Sequence, residues 1–289
     1  MSSRSRRNAA IVVIFAWLAG LGVLVRREYF RPQLEQLADA ALRISPGAVY
    51  YAVMDGERQV GFASSTLDTA QHGVSLRDYF LRAPTAIDTT DRELSVTTVH
   101  LSRALRLLGF HVNTTTPGRL AARVGVVDGD SAISVIDSLP GAPPSSRSVA
   151  LDGPVLVPGM IPLAVVLGES PKVGKRYTLP VFDPASASER TVSVEVHAES
   201  TFVVSDTAVF DPTTARWQST HPDTLKGWQV TSDGPGGFTG WVDDQGRVLT
   251  TQQAGLTFRR LPYEVAFENW RLNTAPDDTV AKASRHPPI

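Results

Sequence analysis

The chain has 289 residues, of which 42% are hydrophobic and 20% charged, a composition that excludes a disordered protein and allows a sizeable core. A formal net charge of −1 gives no long-range attraction for nucleic acid, whose binding needs clustered cations, so nucleic acid is not an expected partner. The lack of cysteine excludes disulfides, thiolate metal ligands, a cysteine nucleophile and a lipid-modified N-terminal cysteine, while leaving the compartment open.

The most specific signal lies near the start of the chain. Ala9 to Val25 is uncharged and largely apolar, close to the lower limit for a helix crossing a ~30 Å hydrocarbon core, and Tyr29 and Phe30 extend it into the interface. No small-x-small cleavage site follows, and Arg26 and Arg27 resume at once, so residues 9–30 are expected to be an uncleaved transmembrane anchor rather than a signal peptide. Arg4, Arg6 and Arg7 on one side nearly balance Arg26, Arg27 and Arg31 on the other, so charge alone barely orients the span. Within it, Ala16 and Gly20 form a small-xxx-small pair beside Trp17, Ala19 and Gly22, a face on which another membrane helix can pack closely. A plain lipid-facing anchor explains the same residues. The span holds no His, Asp, Glu or Lys, so it would touch neighbouring pigments or lipids without direct ligation.

Residues 31–46 read as an amphipathic neck helix. Leu34, Leu37, Ala38, Ala41 and Leu42 recur at helical spacing, Pro32 suits a first turn, and Ser45-Pro46-Gly47 ends the run. Most such stripes pack on their own domain, and a docking surface for a partner is the minority reading.

From residue 47 the punctuation changes to short alternating runs. Val49, Tyr51 and Val53 precede a turn at Asp55-Gly56, with Val60 and Phe62 beyond it. "GVVDGDSAISVI" turns at Asp128-Gly129, and "GFTGWVDDQGRVLTTQ" reads as a hairpin around "DDQG". "RTVSVEVHAES" places Val192, Val194 and Val196 on one face, with Thr191, Ser193, Glu195 and His197 on the other. "GWQVT" and "GLTFRRL" add two more strands. "MIPLAVVLG" suits a short buried helix with Pro162 in its first turn, and "YEVAFENW" another. "HLSRALRLLGF" fits a helix through Leu101, Ala104, Leu105 and Leu108, but its antiparallel surroundings favour strand. "LPGAPPSSRS" marks a pause near 140–148 within one continuing sheet, and residues 271–289 hold too few apolar side chains to build structure. The expected fold is mainly β: an antiparallel curved sheet or half-barrel over residues 47–270, with one or two short helices, behind a single transmembrane helix.

Three stretches carry a family resemblance: Tyr51 with the Asp55-Gly56 turn and Gly61; Leu151 to Ser186, centred on "GKRYTLPVFDP"; and Gly240 to Trp270. Together they resemble the β-rich extracytoplasmic module that precedes transglutaminase-like cores in bacterial membrane proteins. The resemblance implies a periplasmic body on the bacterial inner membrane, and it implies no activity. Only 19 residues follow Trp270, and the chain has no cysteine to serve as the nucleophile of such a core.

A search for chemistry finds no catalytic, cofactor or metal residue to nominate. His72, His100, His111, His197, His221 and His286 have no metal-ligand spacing, and neither H-E-x-x-H nor G-x-S-x-G occurs. Asp183 and Asp211, each within "FDP", invite a carboxylate-pair hypothesis but equally open turns. "DGPGGFTG" leads into a strand and reads as a turn rather than a phosphate loop. Trp217, Trp228, Trp241 and Trp270 cluster in sequence, either as core or as a groove for a partner. The leading expectation is a non-enzymatic accessory subunit that bridges integral membrane proteins, in a photosynthetic or respiratory complex, from the periplasmic face of the bilayer. The alternative is a periplasmic module that binds a lipid or peptide in an apolar cavity.

Overall fold

A computed structural model describes residues 45–274, apart from 71–72, 84–90, 130, 168–169 and 235–236. The expected anchor at 9–30, with Ala16, Trp17, Ala19, Gly20 and Gly22, lies outside the described residues, as do nearly all of the neck and the chain beyond 274. Among the described residues no helix is long and apolar enough to cross a membrane.

The protein is mainly β, built on one large antiparallel sheet. β1 (Gly47–Asp55), β2 (Arg58–Ala70), β3 (Gly73–Arg82), β4 (Glu93–Leu101), β5 (Leu107–Thr116), β6 (Arg119–Asp128), β7 (Ala132–Ser138) and β8 (Ser145–Ala150) pair in sequence order as an up-and-down meander. After a first helix come β9 (Arg176–Asp183), β10 (Ser188–Val204), the separate two-stranded hairpin β11 (Thr207–Asp211) and β12 (Arg216–Thr220), then β13 (Asp223–Ser232), β14 (Thr239–Asp243), β15 (Val248–Gln253) and β16 (Leu256–Arg260). β16 returns to pair with β1, joining the two halves into a 14-stranded sheet that runs from β8 at one edge to β9 at the other. No ladder joins β8 to β9 among the described residues, so the sheet is not closed. The "GKRYTLPVFDP" stretch is β9 with its flanking turns, at that edge.

The ends of the sheet nevertheless meet. Phe110 on β5 lies with its ring centroid 5.6 Å from that of Phe182 on β9. Arg123 on β6 donates to the carbonyls of Pro184 and Ala185 in the β9–β10 turn while pairing with Asp137. The segment after β8 then lies along β9: Leu156 N–H donates to Pro180 at 2.9 Å, and Phe182 N–H donates to Leu156 at 2.8 Å. From there the chain turns onto the concave side through a 3-10 turn (Pro158–Met160) and α1 (Ile161–Leu167), five of whose residues are buried. An apolar helix of this length has no stability alone and is held by what it buries.

The main core cluster joins both halves of the sheet, with Val74, Leu76, Val99 and Ile133 meeting Val165, Val181, Val194 and Val230. Val192, Val194 and Val196 are all buried, as their alternation requires. The opposite, convex face of β1–β3 is covered by a π-helical turn (Glu264–Glu268) and α2 (Asn269–Thr274), where Trp270 packs with Ala52, Phe62, Leu81 and Ala266. This helix carries structure past Trp270 to Thr274, into the segment 271–289 that the sequence suggests is too poor in apolar side chains to build any. The 140–148 pause is the β7–β8 connection together with the start of β8, inside the same sheet.

One ambiguous segment resolves into neither simple form. Residues 100–110 are the end of β4, a turn and the start of β5, with Leu105 at a left-handed φ of 57°. The helical pattern fails because Leu101 and Leu105 enter the core while Leu108 stays 48% exposed. 

Gly246 holds the β14–β15 turn against α1. Its φ is +72°, and an added Cβ would lie 2.8 Å from Leu163 Cα, so both the backbone angle and the space require glycine. Gly246→Ala is expected to cost roughly 2–3 kcal/mol in chemical denaturation. A loss below about 0.5 kcal/mol, the size of an ordinary surface change, would show that this turn does not bear on the helix.

A candidate binding cavity on the concave face

The register sets the inner wall of a cavity as successive cross-strand rows. Gly47, Leu67 and Leu76 form one row across β1–β3. The next is Val49, Ser65, Asp78 and Thr97, and the third is Tyr51, Ala63, Phe80 and Ser95. Because side chains of a strand alternate between faces, all of these share the concave side. The far wall is α1 with its entry turn, contributing Pro158, Ile161, Leu163 and Val166, and the β15–β16 hairpin adds Val248, Leu256 and Phe258. Between them lies a cavity of about 870 Å³. Exposed Ser45, Arg82 and Asp244 also border it, so it opens to solvent. Ligand pockets of drug-sized molecules run from about 300 to 1,000 Å³ and are predominantly apolar.

Asp78 is the one acid within these three rows. Ser65 Oγ donates to its Oδ1 at 2.6 Å. Removal of the carboxyl from bulk water raises its pKa above the ordinary 3.8, opposed by the Ser65 hydrogen bond. Asp78 keeps part of its accessible surface, and the cavity it borders accounts for that surface. Gly159, in the turn entering α1, approaches so closely that an added Cβ would stand 2.9 Å from Asp78 Oδ2. In the neighbouring row, burial also pushes the Tyr51 hydroxyl pKa up, with Arg260 opposing and Asp78 reinforcing. Both groups are thus driven toward their neutral forms.

The raised carboxyl fixes a sign for stability. Between the ordinary value and the folded value, the folded chain binds more protons than the unfolded one, so this group's contribution worsens as pH rises through that window. Asp78→Asn removes the effect. The variant is expected to unfold at higher denaturant than the parent near neutral pH, with the difference shrinking below the ordinary carboxyl value. A pH-independent difference would contradict the desolvation account.

A carboxyl of raised pKa is also what a general acid needs, but acid catalysis needs a positioned nucleophile as well. Among the described residues around this cavity there is no histidine or lysine, Ser65 gives its hydrogen to Asp78, and the other carboxyls are Glu93 and Asp244. What the arrangement offers chemically is a partly apolar volume in which Asp78, fixed by Ser65, is a hydrogen-bond acceptor.

The residues singled out from sequence sit elsewhere. Trp270 is 1% exposed beneath the convex-face helix, and Trp228 is 5% exposed in the main core. Trp241 packs on Phe202 at 4.9 Å, and Trp217 meets Phe210 edge-on at 5.4 Å in the β11–β12 hairpin. None of the four borders the cavity, and no two of them are in ring contact among the described residues. Asp183 and Asp211 each cap a turn. Asp183 accepts from Ala185 N–H and Ser186 Oγ, and Asp211 accepts from Thr213 N–H and Thr214 Oγ1, each at 2.8–2.9 Å. Asp211 is held below the ordinary carboxylate range by the Thr213 N–H and then the Thr214 hydroxyl. Among the described residues no three His, Asp or Glu side chains gather as a metal site.

Sequence reading missed Asp78, although a signal was present. In "GVSLRDYFLR" the inward positions read Val74, Leu76, Asp78, Phe80, and an acid in the middle of an apolar alternation must either be exposed or border a site.

No family model matches the chain, and no curated protein matches it. Among solved structures it is similar to the crystal structure of a β-barrel-like protein of domain of unknown function DUF1849 from Brucella abortus. That likeness covers 75% of this chain and 95% of the other, at 11% identity and a TM-score of 0.46, too low to assign a function.

Proposed function

We propose that this protein is a non-catalytic binding module whose concave cavity takes the apolar part of a lipid or a similar amphiphile, presented at a membrane surface by the N-terminal apolar segment. The observation that carries this reading is the cavity of about 870 Å³ between α1 and strands β1–β3. Apolar wall left in contact with water costs roughly 25 cal/mol per Å², which a bound apolar body would recover. An opening to solvent and an apolar wall together suit a ligand that enters and leaves.

The test uses the full chain in phosphatidylcholine nanodiscs with a photoreactive hydrocarbon carrying a diazirine but no polar head. Cross-links are expected in peptides covering α1 and the β15–β16 hairpin, in addition to any in the N-terminal segment. Cross-links confined to residues outside the body would overturn the reading.

The accessory-subunit reading has an observation of its own. On the convex side Val124 and Ile136 oppose each other across β6–β7 and are 39% and 44% exposed, with Val126 at 58%. A stripe of this kind on an outer sheet face suits contact with another protein. Co-purification of integral membrane proteins from native membranes in mild detergent supports it, and isolation of a lone chain counts against it.

A further inference from the structure

Asp78 is the only acid in the three inner rows of β1–β4, flanked in its own row by Ser65 and Thr97. The neighbouring rows offer Leu67, Leu76, Ala63 and Phe80 beside Tyr51 and Ser95, so Asp78 is the one acid among mostly neutral side chains, while charged residues such as Arg82 and Glu93 border the cavity outside these rows. Ser65 is the one hydrogen-bond donor that acts on the carboxyl among the described residues, and no cationic side chain contributes to its shift. Arg82, Arg190 and Arg247 border the same cavity, yet none of them is among the groups acting on Asp78. A carboxylate has about four acceptor sites, so one protein donor leaves acceptor capacity that a ligand can fill. The close approach of Gly159 places backbone, and no side chain, beside Oδ2. The carboxyl thus has one protein donor and borders the cavity, from which a second donor can reach it.

We propose that Asp78 is the selectivity residue of the cavity, accepting a hydrogen bond from a ligand whose apolar body ends in a donor head, an ammonium or a hydroxyl, in preference to a carboxylate or phosphate. This rests on the binding reading above. A donor head completes the acceptor capacity of the carboxyl, and an ammonium also neutralises its charge, which none of the three arginines bordering the cavity does. An anionic head at the same place meets a like charge wherever Asp78 is ionised, which is unfavourable in a low-dielectric cavity. The apolar body lies along Leu76, Phe80, Ile161, Val166 and Phe258.

The experiment uses the full chain in phosphatidylcholine nanodiscs and photoreactive alkyl probes of one chain length bearing an amine, an alcohol or a carboxylate. Labelling elsewhere in the chain serves as the reference for how far each probe partitions into the bilayer. Relative to that reference, amine or alcohol labelling of the α1 and β15–β16 peptides is expected to exceed carboxylate labelling about tenfold or more, the scale of one charge-assisted hydrogen bond. Asp78→Asn should bring the amine down toward the carboxylate. The stronger of the amine and alcohol arms identifies the head group. Equal cavity labelling by all the probes, or a preference for carboxylate, overturns this proposal while the binding reading stands. Labelling of the cavity peptides by none of them removes both. The head-group comparison on the parent chain decides the matter even where the variant folds poorly.

Discussion

Arg260→Ala is expected to cost about 3–5 kcal/mol of folding stability, the penalty typical of stranding a buried charge. Arg260 sits in β16 opposite Tyr51, and its side chain is 3% exposed. Nε and Nη2 reach Asp206 at 2.9 and 2.5 Å, a fork-on-carboxylate arrangement, while Nη1 reaches Asp243 at 3.0 Å. Asp243 is itself 4% exposed and also accepts the Gln245 and Arg247 N–H groups, which shape the β14–β15 turn. Removing the guanidinium leaves the Asp243 carboxylate buried without its counter-charge, whereas Asp206, 56% exposed, can return to water. The asymmetry gives a second expectation: Asp206→Asn should cost far less than Asp243→Asn. Denaturant midpoints measure both. A loss below about 1 kcal/mol for Arg260→Ala, the scale of a surface pair, would show that the network is solvated in solution.

Trp270→Ala should be comparably severe, about 3–5 kcal/mol, as for a large aromatic removed from a core. Its side chain covers the outward row Ala52, Phe62 and Leu81, on the face opposite the cavity. The same helix is tied to β12, because Asn269 accepts from Trp217 N–H at 2.9 Å and donates to Trp217 O at 2.8 Å, imitating a strand partner. Losing the tryptophan should therefore free two regions together. Amide exchange is expected to quicken at Ala266 and also at Trp217, far along the chain. Faster exchange at Ala266 alone would mean that the hairpin is held by other contacts.

Strands with an uninterrupted alternation could be read directly from the chain. Val192, Val194 and Val196 lie where their period places them, and the turns at Asp55-Gly56 and Asp128-Gly129 follow from residues that favour tight reversals. α1 was legible too, because Pro162 suits a first turn and the apolar run is too short for anything but burial. The cavity was not. It depends on β1 pairing with β16 and on the register that aligns Ser65, Asp78 and Thr97, and neither is encoded in any local window. The tryptophans show the same limit. Trp228 opposes Val242 and not Trp241, so the two rings leave opposite faces of the β13–β14 pair despite their closeness in sequence. The transmembrane expectation belongs to residues 9–30, outside the described residues, and rests on hydropathy alone.

Native mass spectrometry of the full chain, released from its own membranes in mild detergent, tests the central claim most directly. A filled concave cavity predicts a population of chains carrying one apolar small molecule that survives removal of the detergent. The bare chain mass alone, with lipid recovered only in proportion to residual detergent, would contradict it.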